Sequence, residues 1–208
     1  MHDGWSLKKL HRRIMLTRAY QQASRDRSEC QQIDPENRLL WRANRRRLDL
    51  ETMRDSLLAI SGRLDAKMGG RVTDAADNPL DRRRTVYGKV DRQDVPNLYR
   101  SFDFASPDQT TSQRPRTTVP QQALFAMNSP FVVEQAKALA ARAGDEPSAA
   151  RRVAVLYRHV LCRDPDPAET QAALRFLNAE QVDKESKLTP WEQLAQVLLL
   201  TNEAMFVD

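Results

Sequence analysis

The sequence predicts a mainly α-helical fold, a helical bundle-like domain with a minor β hairpin and a long central loop. Apolar residues recur at helical spacing over long stretches on both sides of that loop. Several of these stretches open with a capping residue followed by a proline, which is a typical helix start. Only one short segment, near residues 82–91, alternates in the way that a strand does.

The first predicted helix begins after Ser6, whose side chain can cap it. Its apolar positions are Leu7, Leu10, Ile14 and Met15, and lysines and arginines occupy much of the remaining surface. We expect this helix to lie on the domain core with its basic face in water. Binding to a membrane surface is the alternative, which the narrow apolar stripe disfavours.

Two further helices are predicted before the central loop. A polar link over residues 23–35 precedes a helix over residues 36–47, which Asp34 is expected to cap and a proline to open. Asp49 then caps a helix with a clear apolar face, expected to end near the glycine pair at residues 69–70.

The centre of the chain lacks a helical period. Residues 84–91 alternate between β-favouring and polar residues, which predicts one strand of a small hairpin. A helical turn over residues 95–102 leads into the central loop, residues 98–120, which is dense in polar, charged and proline residues. Long polar loops inside compact domains tend to be functional, so this loop is the first place to search for a site.

Two short helices are predicted after the loop, meeting at a proline corner. Pro120 opens the first, in which Ala123, Leu124 and Met127 are expected to face the core. Pro130 opens the second, which carries its own apolar stripe and ends at an Ala-Gly pair.

Three amphipathic helices complete the chain and predict a small bundle. Asp166 with Glu169, and Thr189 with Glu192, have the three-residue spacing of capping boxes. A proline stands at the first helical position in both cases, where its missing N–H costs nothing.

Charge is divided unevenly between two predicted portions of one continuous domain. Residues 1–144, the main helical portion with the central loop, hold 26 basic and 17 acidic side chains, a net +9. Residues 145–208, a three-helix portion expected to pack on it, hold 7 and 11, a net −4. The basic part raises the possibility of nucleic-acid binding through the N-terminal helices. Because Arg45, Arg46 and Arg47 lie among acidic residues, we interpret that run as an ion-paired helix face and disfavour nucleic acid as a partner.

The hydropathy pattern excludes an integral membrane protein. No apolar run approaches the ~18 to 20 residues that a membrane-spanning helix needs. The N-terminal residues lack the apolar core of a secretion signal, so the chain as written is expected to stay in the cytoplasm.

The sequence carries none of the common short motifs of metal, haem, nucleotide or nucleophile chemistry. HExxH, CxxCH, paired CxxC, GxGxxG, P-loop and GxSxG patterns are all absent. The three histidines and the two cysteines, Cys30 and Cys162, are not spaced as a ligand set. We therefore predict no catalytic residue, no metal site and no cofactor in this chain.

The central loop and its flank supply the remaining candidate binding residues. Arginines there can present paired donors to carboxylate, phosphate or sulfate groups, and the carboxylates can bind calcium or act on sugars. The structural alternative is that the acids cap turns and the arginines tie the loop to carbonyl groups or to those same acids. The candidate ligand- or partner-binding residues are Asp103, Asp108, Arg114, Arg116 and Asn128.

Four separated segments carry a family resemblance. They are NRLLWRANRRRLDLETMRDSLLAISGRLD (37–65), FDFASPDQTTSQRPRTTVPQQALFAMNSPFVVEQA (102–136), LYRHVLCRDPDPAE (156–169) and LTNEAMFVD (200–208). In content and order they resemble the C-terminal domain of planctomycete cytochrome c proteins, a domain of unknown function.

The resemblance implies a place in a larger protein. In that family the domain follows a secretion signal, a cytochrome c-like domain and another domain of unknown function. A full-length member would be exported to the periplasm or the cell surface. Haem c is expected only in the separate cytochrome domain, because CxxCH is absent here. The implied partners are other domains of the same or a companion protein, with a carbohydrate ligand as a further option.

We therefore expect a non-catalytic accessory or interaction domain at the C-terminus of an exported planctomycete cytochrome c-like multidomain protein. One alternative is a carbohydrate- or sulfate-ester-handling enzyme domain that uses the loop carboxylates and arginines. The other is nucleic-acid binding through the basic N-terminal helices, with an affinity that falls steeply as salt rises.

Overall fold

The computed structural model describes residues 4–115, 117, 119–179 and 188–207 and confirms a mainly α-helical fold. The chain forms two compact units. The first consists of Met1–Arg47 with Phe206–Asp208, and the second of Leu48–Met205. The division after residue 144 stays a prediction.

The first unit contains two helices and a pair of very short strands. Helix α1 spans Leu7–Met15, and the Ser6 side chain accepts a hydrogen bond from the Lys9 N–H, which confirms the predicted cap. Helix α2 spans Ser28–Ile33, within the segment predicted to be a polar link. Strands β1 and β2 pair antiparallel, with Arg46 opposite Val207 and Arg47 opposite Phe206.

The predicted helix over residues 36–47 is wrong, and turns take its place. Asp34 therefore does not cap a helix here, and its carboxylate accepts the N–H groups of Arg38 and Leu39 in a turn, at 3.0 and 2.8 Å. The Trp41 indole N–H donates to the Asp34 carbonyl at 2.8 Å, and Asn37 has a φ of 55°. These bonds satisfy the backbone without an i→i−4 ladder.

The second unit holds the remaining helices. The described ones are α3 (Leu50–Ile60), α4 (Asn97–Ser101), α5 (Pro120–Asn128), α6 (Pro130–Arg142), α7 (Ala149–Leu161), α8 (Pro167–Asn178), α9 (Pro190–Leu199) and α10 (Asn202–Met205). None of these helices, nor any other in the described part of the chain, is long and apolar enough to cross a membrane.

The core of the second unit forms around α6. This helix packs most extensively on α9, and it also contacts α3 and α5. The α6 side chains predicted to face inward are all buried, among them Val132, Ala136 and Leu139. Leu156 of α7 and Leu199 of α9 are also almost fully buried. Helices α7, α8 and α9 contact one another and form the predicted bundle, which packs on α6 through α9.

Helix α3 ends nine residues earlier than predicted, at Ile60. Gly62 adopts a φ of +75°, the Arg63 N–H donates to the Leu58 carbonyl, and the Gly62 N–H donates to the Ala59 carbonyl. This is the Schellman arrangement, for which glycine is favoured at the left-handed position. The first glycine after the apolar run therefore ends the helix, and the later glycine pair does not.

The predicted β hairpin near residues 82–91 is wrong. Residues Thr85–Tyr87 form a 3₁₀ turn, and only isolated bridges join this segment to Asp65 and Thr73. The segment bonds to α3 instead. Asp55 accepts both the N–H and the hydroxyl of Thr85 at 2.7 Å. The two-stranded ladder of the described residues lies elsewhere, between β1 and β2.

The inward face of α5 also differs from the prediction. Leu124 and Met127 are mostly exposed, and Ala123 is exposed as well. Gln122 is buried instead, where its side-chain amide donates to the Ser101 carbonyl at 2.9 Å. Phe125 packs edge-on against Phe102, with ring centroids 5.4 Å apart. A polar contact to α4 therefore decides which face of α5 turns inward.

Both predicted capping boxes are confirmed, one at α8 and one at α9. Arg163 follows α7 and donates two hydrogen bonds to Glu169, the box residue of α8, at 2.8 and 2.7 Å. It also donates to Glu203 of α10 at 2.7 Å. One guanidinium thus connects three elements, and it lowers the pKa of Glu169 to about 2.

Removing the Asp55 carboxylate should destabilise the second unit. We expect Asp55→Ala to lower the free energy of unfolding by about 2 kcal/mol, because it leaves the N–H and hydroxyl of buried Thr85 without their acceptor. Urea denaturation measures this change. Asp94→Ala, at an exposed acidic position, is the control and should change stability by less than about 0.5 kcal/mol. An equal effect of the two substitutions would contradict the role assigned to Asp55.

The low pKa of Glu169 predicts acid sensitivity. Arg163 and the Asp166 N–H stabilise the charged form in the folded chain, so the folded pKa lies below the unfolded one. This contribution is complete above the unfolded pKa, near 4.5, and is lost as pH falls towards about 2. Glu169→Gln keeps the capping-box geometry and should flatten the loss of stability between these pH values by about 1 kcal/mol after solvent screening.

Thermal denaturation across this pH window measures the effect. Glu192→Gln is the matched control, because it alters the capping box of α9 in the same way. A pH profile that Glu169→Gln does not flatten more than Glu192→Gln would overturn the assignment.

Candidate functional site

The two ends of the central loop are joined by hydrogen bonds between Asp103 and Thr117. Asp103, at the start, has a φ of 58° and accepts the Thr117 N–H at 2.7 Å. The Thr117 hydroxyl donates to the same carboxylate at 2.8 Å. Asp103 therefore closes the loop by binding a residue fourteen positions later, which is the structural role that the sequence left open.

Arg114 fixes the middle of the loop onto α3. Its guanidinium donates to both carboxylate oxygens of Glu51, at 2.8 and 3.0 Å. It also lies over the ring of Phe104, 4.6 Å from the ring centroid, and that ring contacts Tyr99 at 5.0 Å. Both bonds come from Nη1, so the contact with α3 uses one of the three guanidinium nitrogens of this arginine, and the ring contact adds a cation–π interaction.

The other predicted site residues lie apart from this contact. Asp108 forms an ion pair with Arg92, and both side chains are more than half exposed. Asn128 is exposed at the last position of α5. Arg116 lies outside the described residues. The structure thus places Asp103, Asp108 and Arg114 in separate contacts within the chain, and a binding role for the five residues stays a prediction.

In the described part of the chain, no group of three or more His, Cys, Asp or Glu side chains could hold a metal ion. Burial lowers the pKa of Arg54 and His159 and raises that of Tyr99 and Tyr157, so these four shifts follow from packing. The arrangement can orient the loop, and of the predicted site residues Asp108 and Asn128 have exposed side chains.

A second candidate surface, α1, belongs to the first unit. Leu7, Leu10 and Ile14 share one face of the helix, and they are 69%, 50% and 47% exposed. None of the residues of α1 is buried, so the prediction that its apolar stripe is covered is wrong. Trp5, one residue before the cap, is 83% exposed. The sequence showed the stripe, and only the structure shows that it is uncovered.

The polar face of α1 is strongly basic. It carries Lys8, Lys9, Arg12 and Arg13, and the nine-residue helix contains no acidic residue. Arginines in the last turn lie near the negative end of the helix dipole, which stabilises the helix. An apolar stripe bordered by positive charge is complementary to an apolar groove with a negative rim.

Part of the basic run of the first unit is already neutralised within the unit. Arg42 lies 3.1 Å from Asp26, and Arg45 lies 3.5 Å from the same carboxylate. Arg45 also donates to the carbonyl and hydroxyl of Ser24. The predicted ion-paired interpretation therefore holds for Arg45, although the segment is not a helix.

Comparison with known proteins identifies a matching family model, but no matching curated protein or solved structure. A family model does match, over residues 1–177, and its description is PSD1, a protein of unknown function (DUF1553). Because this match covers most of the chain, the protein belongs to the PSD1 family of proteins of unknown function, DUF1553.

Proposed function

We propose that this chain is a non-catalytic accessory domain that binds a neighbouring protein domain through the apolar face of α1. The partner domain presents an apolar groove with a rim of carboxylates. The observation that carries the proposal is the exposure of Leu7, Leu10 and Ile14 on a helix without any buried residue.

Helix stability supports this use of α1. A helix of nine residues is below the ~12 to 15 at which isolated helices become stable in water. Burying one Leu or Ile side chain contributes roughly 1.5–3 kcal/mol relative to leaving it exposed. Docking in a groove would therefore stabilise both the helix and the complex, adding apolar burial to the cap and the dipole contacts that α1 already has.

The positive charge of α1 narrows the choice of partner. Its basic residues would attract an acidic surface and speed association at low salt. The family layout implied by the sequence resemblance supplies a specific occupant, the cytochrome c-like domain or its neighbouring domain in an exported protein. The planctomycete cytochrome c context, the export and the accessory role are all parts of this proposal.

The catalytic and nucleic-acid alternatives gain no specific support. Asp103 and Arg114 are committed to contacts within the loop and with α3, and Asp108 is paired with Arg92. Arg45 is likewise paired with Asp26. A carbohydrate- or sulfate-ester-handling activity, and binding to nucleic acid, stay predictions from the sequence.

A binding experiment with matched substitutions tests the proposal. The probe is the cytochrome c-like domain together with the neighbouring domain of a full-length family member, produced as a separate chain, and Kd is measured by calorimetry. We expect Leu10→Ser to raise Kd at least tenfold, because it removes the centre of the apolar face. Arg12→Ser, on the opposite face of α1, should raise Kd less than threefold.

Two further variants separate α1 from the loop. Asp108→Ala and Asn128→Ala remove two exposed candidate binding side chains of the loop and its flank, and Kd should not change. Circular dichroism at 222 nm should stay the same for all four variants. Absence of binding by the unaltered chain, equal effects of Leu10→Ser and Arg12→Ser, or loss of binding on Asn128→Ala would overturn the role of α1.

A further inference from the structure

A cavity of about 220 Å³ lies in the second unit, between α3, the segment before α4, and the junction of α5 with α6. Its walls are largely apolar and include Leu50, Met53, Leu98, Phe125 and Phe131. For comparison, an apolar cavity of roughly 150 Å³ binds benzene. The space therefore accommodates one aromatic ring with a short substituent.

One end of this cavity is formed by the start of α6. Ser129, Pro130 and Phe131 line it, so the first turn of the helix borders the cavity. Pro130 has no N–H and the Val133 N–H donates to the Ser129 carbonyl, so the first-turn N–H groups without an acceptor in the helix are those of Phe131 and Val132. They carry the positive end of the helix dipole. Helix starts of this kind favour anions.

Ser129 provides a second and independent pointer to a ligand. Its residue is only 8% exposed and stands at the capping position, yet its side chain does not cap α6. Among the described residues, none forms a hydrogen bond with its hydroxyl. A buried serine that lines a cavity and leaves the cap unmade has its hydroxyl available for a bound molecule.

Arg54 adds positive charge at the same end. It is 3% exposed, lines the cavity, and has its guanidinium 4.9 Å from the ring centroid of Phe131. Its Nε lacks a hydrogen-bond partner, and Asp55 and Asp81 offset part of its charge. The donors at this end of the cavity are therefore the Ser129 hydroxyl, the first-turn N–H groups and the Arg54 Nε–H, and Arg54 also contributes positive charge.

The mouth of the cavity carries Asp77 and Asn78, both exposed. Water and salt screen the exposed carboxylate of Asp77, so its repulsion of a bound anion is weak. The attraction by the buried charge of Arg54 and by the α6 dipole is stronger, because these are less screened. The cavity thus combines apolar walls with hydrogen-bond donors at the start of α6 and exposed polar residues at Asp77 and Asn78, the usual composition of a small-molecule site.

We propose that this cavity binds a small monocarboxylic acid with an aromatic or branched apolar body. The carboxylate accepts hydrogen bonds from Ser129 Oγ and the first-turn N–H groups of α6, and the apolar body lies against Leu50, Met53 and Phe125. This site is formed within the second unit and does not depend on the docking of α1.

Calorimetry with phenylacetate and its neutral analogue 2-phenylethanol tests the proposal on the full chain. Phenylacetate should bind with a Kd below about 1 mM and at least tenfold more tightly than the alcohol, because only the acid presents a carboxylate to the donors. The largest ¹H–¹⁵N shift changes should occur at Phe131 and Val132. Equal affinities, no binding up to about 1 mM, or shift changes centred elsewhere would overturn it.

Two serine substitutions supply a matched comparison. Ser129→Ala should raise the Kd for phenylacetate about tenfold, because a hydrogen bond to a charged acceptor is lost. Ser148→Ala removes the serine that does cap its helix, through the Arg151 N–H, and should lower the melting temperature while leaving the Kd unchanged. Unaltered binding by Ser129→Ala would remove Ser129 from the site and refute the proposal.

Discussion

The structure of the second unit depends on how α3 holds the irregular chain that follows it. Arg54 donates to the carbonyls of Asp81 and Arg83 at 2.7 and 2.8 Å and lies against Phe131 at the start of α6. A buried guanidinium is costly unless its donors are satisfied, so these bonds fix the segment to the helix. Arg54 also lines the apolar cavity, so the contacts that fix the irregular segment also fix one part of the cavity wall.

A high content of polar residues in and around the central loop suggests a reactive or binding site, but several of these residues have a structural role. Irregular backbone must find hydrogen-bond partners, and acids, arginines and threonines are the side chains that supply them. Asp55 and Asp103 each accept the N–H and hydroxyl of one threonine, and Arg114 is occupied by Glu51 and Phe104. Their abundance in the loop follows from the need to hold it. Function is better sought where a polar group is left unused, as at Ser129.

The sequence predicted best what local interactions decide. The caps at Ser6, Asp166 and Thr189 join residues three apart, so their spacing is visible in the chain itself. The buried stripe of α6 was predicted for a similar reason, since helical periodicity is local. Errors occurred where distant contacts decide. Thr85 binds Asp55, thirty residues away, and Gln122 binds Ser101, twenty-one residues away. A prediction from short stretches of sequence cannot detect such pairs, because the two residues of each pair lie too far apart in the chain.

For helix α1 the helix and its apolar face were predicted correctly, but the prediction that this face is covered was wrong. Periodicity establishes that Leu7, Leu10 and Ile14 share a face, and the same pattern fits a core, a membrane or a partner. Its charges narrow this choice, since a helix with basic residues and no acidic residue favours an acidic counterpart. The short length of α1 further limits the kinds of surface that it can bind. A nine-residue helix must be ordered on binding, and that cost reduces affinity, so a tight complex requires most of the apolar face to be buried at once. A concave protein groove can enclose the whole stripe in this way.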